Sequence, residues 1–108
     1  VYLELKSSPP KHLSTAEVRA FLRRVVALRP DVAVFAIDTA LRLGDKVLPM
    51  FAAALGQRSA AFTRPRHVIR DTWALTPHLY VASAKQDLVE NLCRAIAEGL
   101  KARGPAGP

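Results

Sequence analysis

The chain has 108 residues, 50% of them apolar and 6% aromatic, which is enough for one core built mainly from Val, Leu, Ile and Ala and too little for two domains. Sixteen Lys and Arg against nine Asp and Glu leave a formal charge of +7, which favours a polyanionic partner, nucleic acid first. No apolar run is long enough to span a membrane. The single Cys excludes an internal disulfide and fits a cytoplasmic setting.

In Val1-Tyr2-Leu3-Glu4-Leu5-Lys6, apolar residues alternate with Tyr2, Glu4 and Lys6, the period of a half-buried strand. Second neighbours on a strand point the same way, so Glu4 and Lys6 project side by side, with Cα atoms roughly 6.5–7 Å apart. A carboxylate can hold a hard divalent cation, and a neighbouring ammonium can orient water or offset charge on a phosphate. The alternative is an exposed ion pair of little worth. Pro9-Pro10 ends the strand. The chain opens directly in this strand with Val rather than Met, so it is expected to be a fragment or a processed piece.

Ser14-Thr15-Ala16-Glu17 has the form of a capping box. Val18, Phe21, Leu22, Val25 and Val26 follow at helical spacing until Pro30, with Arg19, Arg23 and Arg24 opposite. Asp31–Asp38 is apolar on both faces, as in a central strand of a parallel sheet. A second helix is expected from Gly44 or Asp45, with Pro49 in its first turn and Gly56 just past its end.

Residues 57–77 are irregular, with short strands possible at Val68-Ile69 and Trp73–Leu75 and a cationic cluster at Arg58, Arg64, Arg66 and Arg70. Four Arg in so short a stretch are not expected to find local partners, and with Lys11 they form the candidate phosphate contacts. Trp73 and Tyr80 could stack on bases, although core packing suits both better. Leu79–Ala82 is the last expected strand. Ser83-Ala84-Lys85-Gln86 then suggests a capping box for a helix burying Leu88, Val89, Leu92, Cys93, Ile96 and Leu100. Residues 1–103 are expected to form one α/β domain and 104–108 a flexible tail. His12, His67 and His78 lack zinc-ligand spacing.

Glu4-Leu5-Lys6 is the only acidic-x-Lys triplet in the chain, and a helix and an apolar strand follow it. This stretch resembles the Glu-x-Lys element of the PD-(D/E)xK nuclease superfamily, the restriction-endonuclease-like fold. The resemblance implies a three-layer α/β fold with a mostly parallel central sheet between helices. It implies a nuclease hydrolysing DNA phosphodiester bonds with Mg²⁺ or Mn²⁺, inactive or weak as this piece. Glu4 would be a metal ligand, Leu5 a ligand through its backbone carbonyl, and Lys6 the cation acting on the attacking water. The superfamily also places an Asp on the preceding strand. This sequence lacks it, so the resemblance covers the C-terminal portion of such a fold, truncated at its N-terminus.

Two other classes fit parts of the chain. An Asp at a strand end, Asp38, with Ser83 ending a later strand, is similar to a response-regulator receiver. The acidic pair that such domains carry after their first strand is missing here. A non-catalytic α/β module binding nucleic acid or protein needs only the core and the charge.

Overall fold

The apolar stretch after Pro30 becomes the centre of the sheet. β2 (Ala33–Ile37) is buried at all five positions. The computed structural model describes residues 1–6, 14–38, 47–55 and 65–103. β1 (Tyr2–Lys6) lies parallel to β2 on one side, and β5 (Leu79–Ser83) lies parallel to it on the other. β4 (Thr72–Thr76) runs antiparallel to β5, and β3 (Arg66–Ile69) antiparallel to β4. The sheet has five strands in the order β1-β2-β5-β4-β3.

The expected mostly parallel sheet is therefore corrected to a mixed one. A parallel crossover needs a dozen or more residues, and the chain between Ile69 and Leu79 offers only tight turns. Arg70, at a left-handed φ of 48 less 3, that is 45°, turns β3 into β4 next to Asp71. Pro77-His78 turns β4 into β5. Sequential hairpins result.

α1 (Thr15–Leu28) begins as its capping signal requires, with the Glu17 N–H donating to Ser14 Oγ at 3.2 Å. It closes at Arg29, which adopts the left-handed conformation and donates its N–H to the Val25 carbonyl at 2.9 Å. α2 (Leu48–Leu55) accepts Pro49 in its first turn, where no intrahelical bond is lost. Gly44, Asp45, Gly56 and the tail 104–108 lie outside the described residues.

α3 (Leu88–Arg103) corrects the sequence expectation twice. Ser83 does not cap it, because Ser83 belongs to β5 and donates its N–H to the Asp71 carbonyl at 3.0 Å. The helix starts later, and Asn91 reaches back from inside it, donating through Nδ2 to Ser83 O at 3.1 Å and Gln86 O at 2.9 Å. Its inward line is Asn91, Ala95 and Gly99, with Leu92 and Ile96 alongside, and Val89, Cys93 and Leu100 are exposed. Small residues let the helix sit close on the sheet: a Cβ on Gly99 would stand 2.6 Å from Val32 Cγ2. That close approach rotates the larger apolar side chains outward.

Alternate residues of β2 serve two cores. Ala33, Phe35 and Ile37 join Val18 and Phe21 of α1 and Leu48 and Phe51 of α2. Phe35 contacts Phe21 and Phe51 edge-on, with ring centroids 4.9 and 5.4 Å away. Val34 faces the other way, with Tyr80, Ala82 and Ala95 of α3. Helices thus cover both faces. No helix among the described residues is long and apolar enough to cross a membrane.

Candidate functional site

β1 forms one edge of the sheet, and its side chains divide as the alternation predicts. Tyr2, Glu4 and Lys6 are half-buried, and Leu3 and Leu5 are exposed. Glu4 is in register with Phe35, so it shares the face covered by α1. The two charged heads meet there, Lys6 Nζ 3.7 Å from Glu4 Oε2.

Two further groups converge on the carboxylate. The Tyr2 hydroxyl donates to Glu4 Oε1 at 2.6 Å, and Arg24 Nη1 of α1 donates to the same oxygen at 2.6 Å. Oε1 is saturated. Oε2 is buried and has no hydrogen-bond partner among the described residues. The Glu4 side chain keeps 11% of its surface exposed, against 32% for Lys6 and 52% for Arg24.

Burial by itself would raise the Glu4 pKa, but the Tyr2 hydroxyl, the Arg24 bond and charge, and Lys6 outweigh it and hold the carboxyl below its ordinary value. Tyr2 moves the opposite way. Its bond to Glu4, its burial and the carboxylate charge all raise it, so it stays a neutral donor.

Backbone polarity along β1 completes the local geometry. Tyr2 donates its N–H to Val32 O, and the Lys6 carbonyl accepts from Asp38, both at 2.8 Å. In a parallel ladder the residues between such pairs turn their N–H and C=O the other way. The Leu5 carbonyl therefore faces the open edge. An orphaned carboxylate oxygen and an edge carbonyl are donors of the type hard cations take. They fall short of a full set, and no group of three or more His, Cys, Asp or Glu gathers among the described residues.

The other candidates stand elsewhere. Lys11, Arg58 and Arg64 lie outside the described residues. Arg66 and Arg70 belong to the β3 edge, four inter-strand steps or roughly 19 Å from β1. Both have acidic partners, contrary to expectation: Arg66 pairs with Glu98 at 3.4 Å, and Arg70 with Asp87 and Glu90 at 3.2 Å each. These acids come from the last helix and the turn before it, which local sequence does not reveal.

Tyr80 is fully buried and donates its hydroxyl to Pro77 O at 3.1 Å. Trp73 is half-buried, bonded to Asp71 Oδ1 at 3.0 Å, with His67 packed edge-on against it. Tyr80 is thus closed to base stacking, and Trp73 is largely taken up by the fold. Asp38 ends β2 exposed; Ser83 beside it is buried, its Oγ accepting the Lys85 N–H at 3.2 Å.

Sequence reasoning missed Arg24 and Tyr2 as parts of the site. Tyr2 was visible, since period two puts it on the Glu4 face. Arg24, twenty positions on, required knowing how α1 lies over β1. No family model matches the chain, and neither curated proteins nor solved structures gave a match.

Proposed function

We propose that this chain is a nuclease-like α/β domain of the restriction-endonuclease-like, three-layer type, acting on DNA phosphodiester bonds with Mg²⁺ or Mn²⁺. The observation that supports this is the pairing of Glu4 and Lys6 on one face of β1, with Glu4 Oε2 buried and left without a hydrogen bond. A divalent cation would be held by that oxygen and by the Leu5 carbonyl, and when bound it would supply Lewis-acid activation. Lys6 would donate to the attacking water and offset charge growing on the phosphate. The net charge of +7 favours approach of the polyanion. A second carboxylate is needed for full activity, and none stands beside Glu4 among the described residues. Catalysis by these residues alone is therefore expected to be slow.

One observation favours a second reading, a non-catalytic nucleic-acid or protein binding module. Arg24 already pairs with Glu4, as in a structural ion pair. Incubation of supercoiled plasmid with the chain and Mn²⁺ separates the two. Slow nicking lost in Glu4→Gln and in Lys6→Ala supports the nuclease. Salt-sensitive DNA binding without metal-dependent nicking supports the module. Nicking that survives both substitutions excludes the proposed chemistry.

A further inference from the structure

Two donors on one carboxylate oxygen, and none on the other, is an unequal arrangement for a largely buried group. A buried carboxylate oxygen without a partner is costly, so its neighbour must be firmly held to keep it there. Tyr2 and Arg24 do so differently. The Tyr2 ring is anchored by stacking on Phe21, with centroids 5.8 Å apart and planes inclined at 21°. Its hydroxyl is neutral and adds no charge that would repel a cation. The Arg24 side chain is about half exposed, can swing into solvent without breaking the core, and carries a full positive charge.

From this geometry we infer that Tyr2 is the positioning residue that pins Glu4 Oε1 and presents Oε2, and that Arg24 is an exchangeable counter-cation which a divalent ion displaces. This assignment rests on the nuclease reading, since it specifies how that metal half-site is held before loading. Hydrogen bonds from outer groups to ligating carboxylates commonly affect metal affinity strongly. A fixed positive charge nearby acts against it.

The test uses the isotope-labelled chain titrated with Mn²⁺, reading paramagnetic broadening of the backbone resonances of residues 3–6. Tyr2→Phe keeps the ring on Phe21, so its thermal midpoint is expected to stay near wild type while Mn²⁺ affinity falls roughly tenfold. Arg24→Gln is expected to bind Mn²⁺ about threefold more tightly or better. Unchanged affinity in Tyr2→Phe overturns the positioning role while the metal site stands. Weaker binding in Arg24→Gln overturns the exchange. Absence of broadening around Glu4 in the wild type removes both the inference and the nuclease reading, and is thereby distinguishable from either single failure.

Discussion

Arg24 reaches from α1 across to the sheet edge and places Nη1 2.6 Å from Glu4 Oε1, the oxygen that also accepts the Tyr2 hydroxyl. The contact ties the first helix to the first strand through a charge pair at the rim of the aromatic core. It also fixes the ionisation of the one carboxylate that the functional proposal depends on.

The consequence for stability is a pH dependence of definite sign. Because the folded-state Glu4 pKa is depressed from 4.5, its contribution is complete above that value and lost as pH falls through the lower folded value. The thermal midpoint of the wild type should exceed that of Glu4→Gln most at neutral pH. The gap should close in acid well below 4.5. Thermal scans of both proteins across that range test it. A gap independent of pH would mean that Glu4 is not held ionised by its neighbours.

How far the sequence carried depended on whether a feature was local. Ser14, Pro30 and the unbroken apolar run of β2 act within one element, and their elements formed where they pointed. The Glu4–Lys6 adjacency was legible for the same reason, being a matter of period two. Arg66 and Arg70 were not, because their partners Glu98, Asp87 and Glu90 arrive only when α3 crosses the sheet. The face of α3 was misjudged on physical grounds. Close packing at Gly99 outweighed the burial of Val89 and Leu100, which periodicity alone ranks higher.

Cys93 provides a direct check on that rotated helix. The apolar stripe placed it in the core, whereas it is exposed. In native buffer it should react fully with a thiol reagent, at a rate close to that in denaturant. Protection until unfolding would return it to the buried side and require α3 to turn about its axis.

Gly99 should be intolerant of even a methyl group. A Cβ there would meet Val32 Cγ2 at 2.6 Å and Cγ1 at 2.8 Å, with Tyr80 Cε1 at 3.2 Å. The valine methyls are close to a stiff backbone position and cannot swing aside. Alanine gains about 1 kcal/mol in helix propensity, but overpacking costs about 1–3 kcal/mol, so a net loss is expected for Gly99→Ala. Urea unfolding measures it. A net gain would show that α3 can lift off the sheet at little cost.

Asn91 tests the other end of the same helix. It is fully buried, and its Nδ2 supplies both the Ser83 and the Gln86 carbonyls with a proton. Asn91→Ala strands those carbonyls, at about 1–3 kcal/mol each if water does not reach them. Asn91→Asp is expected to be worse at neutral pH, because it sets a carboxylate against two carbonyl oxygens without a counter-charge. Burial and the carbonyl dipoles must raise the pKa of the introduced group in the folded state. Its protonated form is then favoured by folding, and the deficit relative to wild type shrinks as pH falls towards that raised value and grows as pH rises through it. Chemical unfolding of the three proteins at about pH 5 and about pH 7.5 reads both effects. Equal stability of the Ala and Asp variants at the higher pH would mean that water enters beneath the first turn of α3, and that Asn91 is not the group closing it.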